Sequence, residues 1–375
     1  MSFRYASGIN KPGFNPLAAQ TSTFLYNLFS WGGNGSGQLG IGNTIYYSSP
    51  KQVGSLTTWS TLSGGNSYNL SIKTDGTLWT WGNNTNGQLG FGNTTYYSSP
   101  KQIGALTTWS KASANRRSSL AVKTDGTLWS WGENANGQLG LGNRTDYSSP
   151  KQVGSLTTWA SVSVSPLSKL NFAITTSGAL YGWGQNTDGQ LGLGNTTQYS
   201  SPKQVGALTN WLKVAGGAYF TLAIKTDGTL WSWGDSSYGQ LGLGNTTKYS
   251  SPKQIGAGTS WLNIAANYGS SFAVKTDGTI WAWGRNNVGQ LGLGNTTNRN
   301  SPVQIGALTN WSIVSTNNNK TAVIKTDGTL WGWGNNADGQ LGLGNTTDYS
   351  SPKQVGTSTT WLNVASAVNS TVAIG

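Results

Sequence analysis

The sequence has no cysteine and no histidine, and Glu133 is its only glutamate. The absence of Cys and His excludes disulfides, thiol nucleophiles, the usual zinc sites and every catalytic arrangement that depends on an imidazole. Half of the aspartates occupy one recurring Thr-Asp-Gly position, namely Asp75, Asp125, Asp227, Asp277 and Asp327. This leaves few carboxylates for an acid/base pair. We therefore predict that the chain is not an enzyme and that it has no catalytic, metal or cofactor site.

Long apolar runs are also missing from the chain. No segment approaches the roughly 20 apolar residues that span a bilayer. The segment Met1–Phe14 contains no apolar run like that of a secretion signal. These absences predict a protein that does not insert into membranes and has no signal peptide.

The sequence does contain one motif, W-G-x-x-x-x-G-Q-L-G-x-G-N, that occurs seven times. The copies begin at Trp31, Trp81, Trp131, Trp183, Trp233, Trp283 and Trp333. Their period is 50 residues, with a single step of 52 between the third and fourth copies. A fixed period of this size indicates one supersecondary unit repeated along the chain. We therefore predict a single repeat domain over residues 24–375.

Each repeat is predicted to contain three or four short strands. In the second copy, the runs Asn69–Lys73 and Thr77–Trp81 flank Thr74-Asp75-Gly76, which is typical of a tight hairpin turn. The Gly-rich loop follows, and then Gln102–Gly104 and Thr107–Ser110 are expected to carry the chain to the next unit. Short strands, turn glycines and abundant tryptophan indicate an all-β propeller in which each repeat is one blade.

These motifs, with the S-P-x-Q segment that follows each copy, resemble the RCC1 repeat (regulator of chromosome condensation type). The resemblance implies a seven-bladed β-propeller. The ends of the chain predict how the ring closes, because Val372–Ile374 corresponds to the strand before the Thr-Asp-Gly turn and Leu28–Trp31 to the strand after it. We expect these two terminal strands to pair and share one blade, which also removes two exposed sheet edges.

The formal net charge of +12 raises the question of a nucleic-acid partner. Most of the lysines are periodic, however, and six of them occupy the same S-P-K-Q position: Lys51, Lys101, Lys151, Lys203, Lys253 and Lys353. In a closed ring they form a circlet instead of a stripe that follows a groove. We favour solubility and edge protection for these lysines, and a nucleic-acid partner is not expected; a polyanion-binding propeller is retained as an alternative.

The repeats differ most in the segment between the first two strands of each unit, which also holds the only insertion. Equivalent loops of a propeller emerge on the same side of the ring. They are predicted to display the partner-binding candidates Tyr68, Arg116, Arg117, Leu167, Lys169, Tyr219, Phe220, Tyr268 and Lys320. Such residues on loops over a rigid scaffold suit recognition of a protein or a glycan. Neutral drift in exposed loops is the competing interpretation.

Residues 1–23 lie outside the repeats and are predicted to form an extended arm. Its anchoring candidates are Phe3, Arg4, Tyr5 and Phe14. The opening of the chain resembles N-terminal arms of bacteriophage structural proteins. Together with the near-identical repeats, this resemblance implies a bacteriophage or bacterial member of the family.

Our leading hypothesis is a non-enzymatic, rigid interaction or display module. Its expected setting is a phage virion or a surface assembly, where its partners would be other virion or surface proteins, or a host surface protein or glycan. Outside such an assembly we expect it in the cytoplasm. The alternative is a protein-binding regulator such as an exchange factor for a small GTPase. Family members with exchange activity use a wedge between blades, and no insertion longer than two residues occurs here.

Overall fold

Seven four-stranded antiparallel sheets arranged as a ring form the computed structural model, which describes residues 26–165 and 167–375. The predicted arm, with Phe3, Arg4, Tyr5 and Phe14, lies outside these residues. We number the blades from the one that contains Leu28. The described residues contain strands, turns and bends but no helix. Accordingly, none of them belongs to a helix long and apolar enough to cross a membrane.

The strands fall into four sets according to their position in the blade. The first strands line the centre of the ring and are β3 (Trp59–Gly64), β7 (Trp109–Ala114), β11 (Trp159–Val164), β15 (Trp211–Gly216), β19 (Trp261–Ala266), β23 (Trp311–Asn317) and β27 (Asn363–Ser366). The second strands are β4 (Tyr68–Lys73), β8 (Ser118–Lys123), β12 (Leu170–Thr175), β16 (Phe220–Lys225), β20 (Ser270–Lys275), β24 (Lys320–Lys325) and β28 (Ser370–Ile374).

The remaining two sets lie farther from the centre. The third strands are β1 (Leu28–Gly32), β5 (Leu78–Gly82), β9 (Leu128–Gly132), β13 (Leu180–Gly184), β17 (Leu230–Gly234), β21 (Ile280–Gly284) and β25 (Leu330–Gly334). The fourth strands form the outer edge and are β2 (Tyr47–Gln52), β6 (Tyr97–Gln102), β10 (Tyr147–Gln152), β14 (Tyr199–Gln204), β18 (Tyr249–Gln254), β22 (Arg299–Gln304) and β26 (Tyr349–Gln354).

The ring closes as the sequence predicts. Strand β1 pairs with β28 in antiparallel register, with Leu28 opposite Ile374 and Trp31 opposite Thr371. Blade 1 therefore has the strand order β2-β1-β28-β27 and is built from both ends of the described chain. The predicted all-β, seven-bladed propeller with a shared closing blade is confirmed.

The recurring tryptophan and the G-Q-L-G loop are repeated because they join neighbouring blades. The indole N–H of Trp81 in blade 2 donates to the carbonyl oxygen of Gln38 in the loop of blade 1, at 2.9 Å. The same bond recurs around the ring. The bond from the Trp31 indole N–H to the carbonyl oxygen of Gln340 in blade 7 completes the series. Gly40 must lack a side chain here, because a Cβ would lie 2.8 Å from the Trp81 indole nitrogen.

The apolar core is divided into clusters that lie between adjacent blades. One cluster combines Tyr68, Leu70 and Ile72 of blade 2 with Trp109 and Trp131 of blade 3. Such division is expected for a repeat protein, in which each unit buries its apolar faces against its neighbours. The result is a rigid disc that holds its loops in fixed relative positions.

The fourth strand of each blade differs from the sequence prediction. Residues 97–102 form β6, whereas Gln102–Gly104 was expected to be the extended segment and only Gln102 belongs to the strand. The strand tolerates Pro100 because it lies on the outer edge, where β6 has a register shift against β5. The predicted hairpin is otherwise observed as Tyr68–Lys73 and Leu78–Gly82.

Candidate functional site

The loops between first and second strands open at one end of the ring, which we call the variable-loop face. Their described residues are 65–67, 115–117, 165, 167–169, 217–219, 267–269, 318–319 and 367–369. The Thr-Asp-Gly turns and the links between blades lie at the opposite end, because consecutive strands within a blade are antiparallel. The segments that differ most between repeats are thus gathered on one face.

Three of the predicted candidates are not displayed on this face. Tyr68, Phe220 and Lys320 each begin a second strand, and all three side chains are buried. The prediction that they are available to a partner is wrong, because at this position the side chain is buried inside the ring instead of facing solvent. Their contacts are structural.

Tyr68 joins blade 2 to blade 3. Its hydroxyl donates to the carbonyl oxygen of Ser118 at 2.6 Å and lies 3.1 Å from the hydroxyl of Ser119. Burial raises the pKa of Tyr68 well above its ordinary value, and the bond to Ser119 opposes this rise only in part. The tyrosine is therefore a neutral cross-link within the ring.

Lys320 is the least expected of the buried groups, since its side chain is only 1% exposed. Its ammonium donates to the carbonyl oxygen of Ser370 in blade 1. Burial lowers the pKa of Lys320 well below its ordinary value, and the charge of Asp338 opposes that shift. The lysine thus joins blades 7 and 1 and presents no charge to a partner.

The other six candidates come from four consecutive blades, 3 to 6, and form what we call the loop arc. Arg116 and Arg117 are exposed, and Leu167 and Lys169 are half-buried. Tyr219 and Tyr268 are 37% and 38% exposed. The structure therefore places these residues along one side of the ring.

Two tyrosines of the loop arc, together with the adjacent Arg285 and Tyr238, which we include in the arc from here on, form its most ordered part. The rings of Tyr219 and Tyr268 meet edge to face, with centroids 6.3 Å apart. The guanidinium of Arg285 lies 5.2 Å from the centroid of Tyr268 and 5.1 Å from that of Tyr238. These contacts hold exposed aromatic rings in one arrangement before any partner binds.

Sequence reasoning missed Tyr238 and Arg285, which lie in the loops between third and fourth strands. Both occupy variable positions inside the otherwise constant W-G-x-x-x-x-G-Q-L-G motif. The position of Tyr238 holds Ser36, Asn86, Asn136, Asp188, Val288 and Asp338 in the other copies. An aromatic residue there is the signal that could have identified it.

Ion pairs fix other charged groups close to the loop arc. The ammonium of Lys169 lies 2.8 Å from the carboxylate of Glu133. Lys248 contacts Asp188 at 2.6 Å and Asp235 at 3.0 Å. Burial alone would raise the pKa of Asp235, but hydrogen bonds from Ser237 and Lys248 hold it below its ordinary value.

The cavity at the centre of the ring is lined mainly by small, uncharged residues. This cavity of about 220 Å³ is lined by the first strands, with small residues such as Ser63, Ala114 and Gly216, and it has no titratable lining residue. Within residues 26–165 and 167–375, no group of three or more acidic residues could hold a metal ion.

The S-P-K-Q lysines lie on the fourth strands at the rim. Each ammonium lies over the tyrosine ring four residues earlier, at 4.2–5.7 Å from the centroid, in Lys51, Lys101, Lys151, Lys203, Lys253 and Lys353. The lysines are thus distributed around the rim.

Comparison with known families identifies the repeats. The model described as "Regulator of chromosome condensation (RCC1) repeat" matches residues 27–72, 75–122, 125–165, 177–224, 227–274, 277–322 and 327–374. A second model with the same description matches parts of five repeats, residues 59–88, 109–138, 211–240, 261–290 and 312–340. No curated relative matches the sequence at a significant level.

Solved structures have the same architecture. Human WBSCR16 superposes with a TM-score of 0.83 at 24% identity, covering 93% of this chain and 98% of that chain. Prp20p from Saccharomyces cerevisiae, described with its binding to Gsp1p and histones, gives 0.82 at 18% identity over 94% and 92%. Yeast RCC1 (Prp20) bound to Kap60 gives 0.79 at 18% identity over 100% and 96%. At these identities the likeness shows the fold alone.

Proposed function

Because the chain belongs to the family of regulator of chromosome condensation (RCC1) repeat proteins, we propose that it is a non-enzymatic module that binds a protein partner through the loop arc. The observation that carries the proposal is the cluster in which the exposed Tyr219 and Tyr268 contact each other and the half-buried Arg285 lies against Tyr268 and the half-buried Tyr238. Tyrosine and arginine are the residue types that most often anchor protein interfaces.

Rigidity supports this function. The loops of the arc bind one another across blades, since the Ala218 N–H donates to the Asn267 carbonyl at 3.1 Å and the Asn115 amide donates to the Leu170 carbonyl at 3.1 Å. A surface that is ordered before binding loses less entropy when a partner docks. The arc therefore has both the composition and the order that a binding surface needs.

The absence of an enzymatic role is also part of the proposal. The described carboxylates mostly cap turns, as when Asp75 accepts from the N–H and hydroxyl of Thr77. These hydrogen bonds lower the pKa of Asp75, which makes it a weaker base. Aspartates in such turns stabilise the fold and are poorly suited to proton transfer.

As the setting of this module we propose a phage virion or a surface assembly. The support is the sequence: near-identical repeats without Cys or His, preceded by a short aromatic and basic segment that we expect to anchor the propeller. Mass spectrometry of purified particles from the source tests this setting. Stoichiometric recovery of the chain is expected, and its absence from the particles would contradict it.

Exchange activity on a small GTPase is the second candidate, because the structurally similar Prp20p is described with its binding to Gsp1p. Against it, the described blades are separated only by short links, and the one insertion adds two residues in the loop of blade 4. A nucleotide-release assay distinguishes the two functions. Our proposal predicts no acceleration of release.

The experiment that tests the proposal compares two triple variants. In one, the loop arc loses three anchors (Arg116→Ala, Tyr219→Ala, Tyr268→Ala). In the matched control, two exposed tyrosines and one lysine are removed from blades 1 and 2 (Tyr46→Ala, Tyr96→Ala, Lys51→Ala). Partners recovered by affinity isolation from source cells should be lost with the first variant and retained with the second. Equal recovery with both variants would overturn the proposal.

A further inference from the structure

The outer wall of the ring carries a cavity of about 370 Å³ between blades 4 and 5. One side is the Gly192–Gly194 loop of blade 4, and the other is formed by strands of blade 5. Its apolar lining residues are Leu193, Val205, Leu208, Trp211, Trp231 and Pro252. Lys225 is the only charged lining residue.

Lys225 is held in the cavity without a hydrogen-bond partner. Its side chain is 5% exposed, and its ammonium lies 3.7 Å from the ring centroid of Trp231 and 5.0 Å from that of Trp211. No described residue accepts a hydrogen bond from this ammonium or pairs with it within 4 Å. Asp227 affects the ammonium only through its charge at longer range. Oδ1 of Asp227 instead accepts hydrogen bonds from the N–H and the hydroxyl of Thr229. Most of the Lys225 side chain is covered, but its ammonium is not among the fully buried nitrogens and can donate to an anionic group that enters the cavity.

The aromatic wall of the cavity is fixed. The indole N–H of Trp231 donates to the Thr229 hydroxyl at 2.8 Å, and that hydroxyl donates to Asp227 at 2.6 Å. Leu208, which also lines the cavity, is 50% exposed. The buried indole N–H of Trp211 lacks an acceptor among the described residues. The cavity thus offers a rigid apolar surface with the Lys225 ammonium as its one charged donor.

The same lysine and tryptophan pair recurs in five blades. Each ammonium lies 3.7–5.1 Å from the centroids of two tryptophan rings, in Lys73, Lys123, Lys225, Lys275 and Lys325. Beside blade 7, a cavity of about 560 Å³ is lined by Trp311, Trp331 and Arg299, and Lys325 is not among its lining residues. The contact between lysine and tryptophan is therefore the feature that repeats around the wall.

Blade 4 provides an internal control. The four residues of the lysine unit are replaced together there, by Thr175, Ser177, Ala179 and Tyr181. The cavity between blades 3 and 4 is nevertheless present, with a volume of about 320 Å³ and no charged lining residue. The cavity walls consequently do not depend on the lysine.

We propose that the cavity between blades 4 and 5, and the equivalent surface beside each of the other four lysine–tryptophan pairs, bind short acidic peptide segments. An apolar side chain of the segment enters the cavity, and a neighbouring carboxylate accepts a hydrogen bond from the lysine ammonium. The net charge of +12 attracts such segments toward the wall. This inference goes beyond the loop arc, because it assigns a second surface and a defined ligand chemistry.

The lining favours a peptide over a sugar or a nucleic acid. Apart from Lys225, only Gln204 and Ser251 bring polar side chains to the cavity between blades 4 and 5. A sugar would leave most of its hydroxyls without hydrogen-bond partners in such a site. A nucleic acid binds through several cations along its backbone, whereas this cavity has one. A peptide with one apolar side chain and one carboxylate matches both the apolar walls of the cavity and the ammonium of Lys225.

The test uses a capped octapeptide with one leucine followed by two glutamates in a glycine and serine background. The protein is labelled with ¹⁵N-tryptophan, and indole signals are followed during titration. We expect signals of the lysine-bearing blades to shift, including Trp211 and Trp231, and that of Trp159 in the control cavity to remain in place. Peptides with glutamine for glutamate, or alanine for leucine, should bind at least about tenfold more weakly.

Two protein variants complete the test. Replacing all five lysines with methionine keeps an apolar chain over the tryptophans and should weaken binding about tenfold or more. Grafting the unit into blade 4 (Thr175→Lys, Ser177→Asp, Ala179→Thr, Tyr181→Trp) should make the Trp159 signal shift. No shift in the parent, equal binding of the glutamine peptide, unchanged binding by the methionine variant or no gain in the graft would each overturn the proposal. The loop arc variant should bind the peptide like the parent, which separates this inference from the proposed function.

Discussion

Leu28 lies directly opposite Ile374 in the antiparallel ladder of blade 1, so the first and last strands are neighbours. In the same strand, the Trp31 indole N–H donates to the Gln340 carbonyl oxygen of blade 7. The closing blade is therefore held by the same contacts that join the other blades. Closure places β1 and β28 in the interior of the blade 1 sheet, so neither of these two strands is left at a sheet edge.

Replacing Ile374 with alanine should destabilise the ring. The side chain is buried between blades 1 and 2, and such truncations cost about 2–5 kcal/mol. The matched control is Leu362→Ala, which removes a largely exposed side chain of the same blade and should change stability by less than about 0.5 kcal/mol. Chemical unfolding of the three proteins measures both effects. Equal stabilities for parent and Ile374→Ala would mean that the closing strand is not packed as described.

The glycine of the Thr-Asp-Gly turn should be irreplaceable. Gly76 has a φ of +78°, and an added Cβ would lie 2.1 Å from the Thr107 carbonyl oxygen. Gly54 has a similar φ of +57° with nothing within 4 Å. Gly54→Ala should therefore cost about 1–2 kcal/mol from backbone strain, and Gly76→Ala about 1–3 kcal/mol more from the clash. Similar losses in the two variants, measured by chemical unfolding, would argue against the described turn.

Much of the architecture could be predicted from the sequence because its causes are local and repeated. The pairing of Leu28–Trp31 with Val372–Ile374 followed from aligning each segment with complete copies of the repeat. The fourth strand was placed too late in the sequence because Pro100 and its polar neighbours do not look like a strand, and only the position at the sheet edge permits the proline.

The candidate site was less accessible to prediction because its geometry is non-local. Burial of Tyr68 and Lys320 depends on the neighbouring blade, which their own sequence segments do not reveal. Likewise, Arg285 meets Tyr238 only because adjacent blades bring two different loops together. A pattern read along one repeat contains no information about such contacts.

Tyr68→Phe should weaken the ring without affecting partner binding. The change removes the hydroxyl that donates to the Ser118 carbonyl, a loss of about 0.5–1.5 kcal/mol. Because Tyr68 is buried, affinity for a partner of the loop arc should remain at the parental level. Unfolding and binding are measured on the same preparation. A loss of binding with unchanged stability would instead show that Tyr68 contacts the partner.

Lys320 should make stability depend on pH. Burial lowers its pKa in the folded state below the ordinary value of 10.5. Between these two pKa values the unfolded chain binds more protons than the folded chain, so the contribution of Lys320 to stability becomes more favourable as pH rises. Lys320→Met removes this contribution. The Ser370 carbonyl still accepts from the Ala367 N–H in that variant.

Melting temperatures of the parent and Lys320→Met at pH 7 and pH 10 provide the measurement. The variant should equal or exceed the parent at pH 7, and its advantage should shrink toward pH 10. Parallel pH dependences in the two proteins would show that Lys320 titrates normally. The other titrating groups are common to both proteins and cancel in the comparison.

The central claim is that a partner protein docks on the loop arc, and site-specific photocrosslinking tests it most directly. Benzoylphenylalanine is placed at Tyr268 within the arc or at Tyr96, an equally exposed tyrosine of blade 2 outside it, and source cells that express each protein are irradiated. The account predicts a discrete protein adduct from position 268 and none from position 96. An adduct from position 96 alone, or from neither position, would contradict it.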